Sequence, residues 1–253
     1  FSGVTSNYEA LVAQFQHRLS HYVAINANYT WSHALDYGEN NQTGAAATSL
    51  LDPTNIKLDY GNSNQNVPNR IVVYAVADSP WRAHGPLGYL VNDFELSPSF
   101  QTQTGLPYSV GISGSSSTLT VTPGDPVQKI VSTSSFNGSG GADRVPVSNR
   151  NAFQQPKTWV LDLRASKRLV VREHYSLEFL AEAFNLANHQ NVTSVNASAY
   201  FVNNNTTKSG STTIGEGNTL TPYSTPFSEV TATNNSNFAY NVRQLQMGLR
   251  FQF

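Results

Sequence analysis

Nine polar residues of this 253-residue chain recur at alternate positions and are the first candidates for chemistry: Asp93, Glu95, Gln101, Gln103, Asp162, Arg164, Arg168, Glu178 and Glu182. Opposite charges on neighbouring strands form cross-strand ion pairs worth about 0.2–1 kcal/mol each. A wall of such groups also offers contacts to a passing solute. Other candidates are weaker. His17 and His21 are four apart, a metal-site spacing on a helix, but here they straddle a predicted strand and its turn. "GSGGAD" is Gly-rich without the Lys and helix signal of a phosphate cradle, so it reads as a flexible loop. No G-x-S-x-G, H-E-x-x-H, Walker A or EF-hand spacing occurs. The expectation is a protein with no catalytic residue, no metal site and no cofactor, and not an enzyme.

Charged residues make up 12% of the chain and the formal net charge is -1. That balance gives no electrostatic case for nucleic acid or an anionic surface. Zero cysteines exclude a disulfide framework and any thiolate ligand set. Phe1 is not an initiator residue, and no basic-then-apolar leader follows it, so the expectation is a mature form or a fragment. No apolar run approaches 18 residues, which excludes a transmembrane helix. Transmembrane strands escape that test because they alternate lipid-facing and lumen-facing residues.

The elements that position the polar residues read with period two. In "HYVAINANYTWS" Val23, Ile25, Ala27, Tyr29 and Trp31 fall opposite Ala24, Asn26, Asn28 and Thr30. "YLVNDFELSPSFQTQT" sets Leu90, Phe94, Leu96 and Phe100 against Asp93, Glu95, Gln101 and Gln103. "TWVLDLRASKRL" opposes Trp159, Leu161, Leu163 and Ala165 to Asp162, Arg164 and Arg168. In "YSLEFLAEAFN" Leu177, Phe179, Ala181 and Ala183 oppose Glu178 and Glu182, with Leu180 and Phe184 as apolar exceptions. Propensity alone favours helix there, yet the neighbouring period favours strand. "YEALVAQFQHRL" fits less well, and "NRIVVYAVADS" is apolar on both faces, leaving its phase unread. The last segment, "RQLQMGLRFQF", puts Leu245, Met247, Leu249, Phe251 and Phe253 on one side. Seven strand candidates result, each near the 9–11 residues of a tilted membrane strand.

Short and long connections alternate between these candidates. The long ones, roughly 32–67, 105–157 and 186–238, are rich in Asn, Ser, Thr and Gly. Such loops count against a compact soluble domain but match the long extracellular loops and short periplasmic turns of an outer-membrane barrel. Aromatics bracket the candidates: Tyr22, Tyr89 and Tyr175 near short turns, Trp31, Trp159 and Tyr240 near long loops. Amphipathic rings at both ends suit interfacial girdles. The predicted fold is therefore an all-β, antiparallel, up-and-down portion of a transmembrane β-barrel, set in bacterial outer-membrane lipid. Seven strands fall short of a complete bacterial barrel, which is even-numbered and has at least eight. Open edges in hydrocarbon leave backbone groups unsatisfied, so residues 1–253 are expected to be part of something larger.

The stretches "SNYEALVAQFQHRLSHYVAINANYTWSHALD", "NVPNRIVV", "FQTQTGLPYSV", "RNAFQQPKTWVLDLRASKRL", "LEFLAEAFNLANHQN" and "LQMGLRFQF" together resemble the C-terminal part of TonB-dependent outer-membrane receptors, in particular the Oar-like type abundant in acidobacteria. The resemblance implies a 22-stranded barrel with an internal plug that imports a scarce ligand, a siderophore, oligosaccharide or similar, with energy relayed by TonB. It implies that the remainder of the barrel and the plug domain, the TonB complex and the barrel-assembly machinery are partners. It also implies that the closing strand through Phe253 is the signal that machinery reads. A secreted or surface β-rich binding protein, an adhesin or lectin-like sandwich with no transport role, is the alternative reading.

Overall fold

The computed structural model describes residues 5–20, 22–38, 55–113, 144–145, 147–172, 175–209, 212–234 and 242–252. Its main sheet is built from β1 (Asn7–Ser20), β2 (Val23–Asp36), β3 (Asn69–Asp78), β4 (Phe94–Gln103), β5 (Thr158–Arg172), β6 (Tyr175–Phe184) and β7 (Gln244–Gln252). Their spatial order is their chain order, and every pairing is antiparallel. The architecture is up-and-down. Among the described residues each edge strand has one wall neighbour, β2 for β1 and β6 for β7, so the sheet they form is open.

Because directly paired residues share a face, the register assigns the two sides of the wall. One rung runs Phe15, Ala27, Val73, Phe100, Leu161. Another runs Val23, Ala77, Leu96, Ala165, Ala181, Met247. The other face carries rungs such as Asp78, Glu95, Ser166, Leu180, Gly248. The same register resolves β3, whose own sequence is apolar throughout. Ile71, Val73 and Ala77 pair into the apolar face, while Val72 and Tyr74 stand among Asn28, Asn26, Gln101 and Ser99 on the polar one.

Among the described residues the buried apolar side chains are Val110, Ile112 and Val160, with Pro107, while Met247 is 86% exposed. A water-soluble chain of this size would hide its larger apolar residues in a core. Here most of those on the wall strands stand exposed on one broad face. On β5 the apolar positions run from Trp159 to Leu169, ten residue steps or about 33 Å. At a tilt near 40° that gives roughly 25 Å along the membrane normal, the height of a barrel's apolar band.

Several sequence expectations change. Tyr22 does not open β2; it occupies the preceding turn at φ 71. Trp31 does not close β2, which continues to Asp36 and binds the short strand Gly61–Asn62 there. β4 begins at Phe94, because Gly85 (φ 69), Pro86 and Asn92 organise a helical turn, Pro86–Val91, over the alternating "YLV". Tyr89 therefore lies in that turn, and Asp93 precedes the strand in the left-handed region (φ 55). The Ala- and Glu-rich β6 is a strand despite its helix propensity, since β5 and β7 hydrogen-bond along both its sides. The long connections also carry strands of their own. The Asn- and Thr-rich stretch is a hairpin, Ser198–Ser209 with Thr212–Pro222, and Gly111–Ser113 joins it in parallel. Val192–Val195 pairs with Val230–Thr233, and Pro107–Tyr108 with Phe153–Gln154. The three long connections lie at one end of the wall and the three short ones at the other.

Candidate functional site

The polar face of β4, β5 and β6 gathers most of the residues singled out by type and spacing. Glu95, Gln101 and Gln103 of β4 share it with Asp162, Arg164 and Arg168 of β5 and with Glu178 and Glu182 of β6. Arg164 Nε lies 3.8 Å from Glu182 Oε1 on the same rung. Glu178 is flanked by Arg168 on one side and by Arg250 on the other, the latter at 3.5 Å. Asp162 has a different duty. It accepts the Asn185 N–H at 2.8 Å and fixes the turn after β6, where Asn185 is left-handed (φ 49). At the short-turn end Glu95, Arg168 and Glu178 border a recess of about 430 Å³ that also includes Asp78, Arg82 and Asp93. The Arg82 guanidinium sits 5.7 Å from the centre of the Tyr22 ring. So the β1–β2 turn, which holds Tyr22, and the β3–β4 connection, which ends on Asp93, together deliver both residues to the rim of this recess. The arrangement presents charges of both signs to the recess; among the described residues no cluster of three or more His, Asp or Glu side chains is placed to hold a metal ion. His21 lies outside the described residues, and His17 pairs with Ile25 on β1.

At the opposite end the long connections are latched to one another. Arg144, 3% exposed, donates to Asp59 Oδ1 at 2.9 Å and to the Leu58 carbonyl at 2.8 Å. Burial lowers its guanidinium pKa; Asp59 opposes that shift and the Arg150 charge adds to it. Arg150 pairs with Asp36, which stands five residues past Trp31 and beyond the apolar band. Burial alone would raise the Asp36 carboxyl. Hydrogen bonds from Ser63, Arg150 and Gly38, with the Arg150 charge, hold it below the usual carboxylate range. Asn151 donates to Asn62 O (2.7 Å) and Asn64 Oδ1 (2.8 Å), and Asn62 donates back to Asn151 O (2.9 Å). Gly105 has no room for a side chain, since a Cβ there would sit 2.2 Å from the Gln155 carbonyl oxygen.

Aromatic and apolar candidates divide by face. Trp159 shares the apolar rung of Tyr29, Ile71 and Thr102, and its ring stacks on His189 at 4.2 Å. Trp31 faces the same way, between Leu11 and Asn69. Near the short turns Tyr175 stacks on Phe251 at 6.0 Å. Leu245, Met247, Leu249 and Phe251 pair with Ala183, Ala181, Phe179 and Leu177, all on the apolar face. Tyr240 and Phe253 lie outside the described residues.

Residue typing missed some of the most constrained groups. Asn191 is fully buried, and its amide makes both bonds of a β-bridge to Trp159: Nδ2 donates to Trp159 O (2.9 Å), and Trp159 N donates to Oδ1 (2.8 Å). Asn66 likewise accepts the Ala34 N–H at 2.8 Å. Nothing local separates these from the solvent-facing asparagines around them. Lys167 was readable as the one charge in an apolar phase. It faces Phe94 and Phe179 across its two rungs.

The polar wall, the exposed apolar face and the alternation of short turns with long connections are together those of a lipid-embedded barrel wall. A family model described as an outer membrane beta barrel domain matches residues 1–248. No curated protein and no solved structure matches the chain. The sheet is therefore placed in the bacterial outer membrane, its apolar face against lipid, and the chain belongs to the outer membrane beta barrel domain family.

Proposed function

We propose that this wall is the C-terminal arc of a TonB-dependent receptor barrel, whose function in the intact receptor is uptake of a scarce ligand. The observation that carries the reading is the open sheet. β1 and β7 each have one wall neighbour, and an unsatisfied edge in hydrocarbon costs several kcal/mol per backbone group. Further wall strands must cover those edges. A wider barrel also gives the polar face something to contain. Arg164, Arg168, Glu178, Glu182 and Arg250 are arranged as a charged inner surface against which a plug domain packs and past which a solute moves. The energy source in this reading, TonB, rests on the resemblance of the quoted sequence stretches to TonB-dependent receptors. The closing strand β7, with its outward Leu245, Met247, Leu249 and Phe251, is what the barrel-assembly machinery reads.

The test is uptake by cells expressing the intact protein, using siderophores and oligosaccharides as candidate ligands. Import of at least one that stops on TonB depletion supports the proposal. Import that persists without TonB, or surface adhesion with no import from either class, overturns it.

A further inference from the structure

β5 overhangs its neighbour. The last residue of β4 to pair with it is Phe94, opposite Lys167, and the Arg168 N–H donates to Asp93 O at 3.1 Å. Beyond that, Leu169 and Val170 pair only with β6. The vacated side of the overhang is walled by the β3–β4 connection, leaving a cavity of about 360 Å³. Its wall is pre-formed. Asn92 exchanges two 2.9 Å hydrogen bonds with the Ala83 backbone, and Gly88 packs so close to the Ala83 carbonyl that a Cβ would lie 2.4 Å from its oxygen.

Lys167, Arg168 and His84 line this cavity, with Asp93 as the sole acid among its lining residues. Lys167 belongs by register to the lipid-facing side. Its ammonium bends to the Asn92 carbonyl and lies 4.9 Å from the centre of the Phe94 ring. This is a snorkelling arrangement that holds the charge at the short-turn end. An ammonium has three donors, so one carbonyl leaves capacity for an anion. Apolar groups surround the opening. Leu169 and Val170 line it, Val170 is exposed, and Leu169 lies on the lipid-facing side with Leu177; Trp81 and Leu87 of the β3–β4 connection are exposed as well. Short turns of such barrels lie at the periplasmic interface, so the cavity sits at inner-leaflet headgroup depth.

We propose that this notch binds the phosphate headgroup of an anionic phospholipid of the inner leaflet. Lys167 from the lipid-facing side and Arg168 from the polar side meet the phosphate at the open edge of β5, where both line the notch, and the acyl chains lie along Leu169 and Leu177. Charge complementarity selects the occupant: two cations against one carboxylate among the lining residues, at the rim of an apolar face, fit a lipid phosphate.

The experiment titrates the intact outer-membrane protein in non-ionic detergent with phosphatidylglycerol or phosphatidylcholine, and native mass spectrometry counts the bound lipid. Phosphatidylglycerol is expected to bind about tenfold more tightly. Lys167→Gln with Arg168→Gln abolishes the preference, Lys167→Gln alone weakens it, and Lys167→Arg keeps it. Lys157→Gln, a basic residue beside the long connections, leaves it unchanged. Gel mobility before and after heating shows that each variant is folded; if the double variant is not, the Lys167→Gln and Lys167→Arg pair decides. Equal binding of the two lipids, or an undiminished preference in a folded Lys167→Gln variant, overturns the proposal. So does displacement of phosphatidylglycerol by equimolar glycerol phosphate, which would make the notch a free-anion site.

Discussion

Arg144 and Asp59 show how much one residue pair holds at the long-connection end. Both are buried and they face each other at 2.9 Å. Removing one partner of a buried pair strips the other charge of that counter-ion, at about 3–5 kcal/mol. Asp59→Leu is therefore expected to loosen the attachment of residues 144–157 to residues 55–66, read as faster proteolysis of both segments. Asp59→Leu with Arg144→Met should recover much of the loss, since an apolar pair has no desolvation penalty. Equal cleavage of the single and double variants would contradict this. The second latch carries a pH signature. Asp36 has a folded pKa below its unfolded one, so its contribution is present above about pH 4, the unfolded carboxylate value, and is lost as pH falls through the folded pKa. Protection of these segments should therefore fall on acidification in the wild type. In Arg150→Met protection should already be reduced at neutral pH and should change less with acid.

The unit of meaning at the element scale is the face. Alternation in β2, β5, β6 and β7 is visible in the residues themselves because each carries polar groups on one side only, or nearly so. β3 shows where that ends: with Val72 and Tyr74 apolar on the polar face, only its register against β2 and β4 sets its phase. The start of β4 failed for the opposite reason. Leu90 alternates with Asp93 and Glu95, but the punctuation of Gly85, Pro86 and Asn92 outweighs the pattern. The latches could not be read at all, since Asn151 reaches Asn62 across 89 residues and Asn191 reaches Trp159 across 32. A substitution pair tests the faces directly. Leu163→Arg puts a charge into the apolar run of β5 and should cost about 2–4 kcal/mol of folding free energy near the bilayer midplane. Ser99→Arg, opposite Asp162 on the polar face, should cost far less. Denaturant titrations of the intact protein in lipid vesicles measure both, and equal costs would contradict the face assignment.

For the whole molecule, the question is what closes the wall. Seven strands alternating in direction put β1 and β7 parallel to each other. Joining them would create one parallel seam, weaker per residue than the antiparallel pairs elsewhere, in a barrel smaller than the eight strands at which bacterial examples begin. Both edge strands instead suit antiparallel neighbours from a larger wall. Residues 1–253 contain no cysteine, so thiols introduced on β1 and β7 meet no background from this stretch. Gln14→Cys on β1 and Gly248→Cys on β7, with neighbouring positions scanned to cover alternative registers, are expected to form no disulfide with each other in outer membranes. Each is expected to form one with a cysteine placed in a wall strand outside residues 1–253. Efficient β1–β7 cross-linking in heat-modifiable protein would mean a closed seven-stranded barrel. The charged wall of Arg164, Arg168, Glu178 and Glu182 would then face a lumen too narrow for a plug, and the receptor reading would fall with the larger barrel.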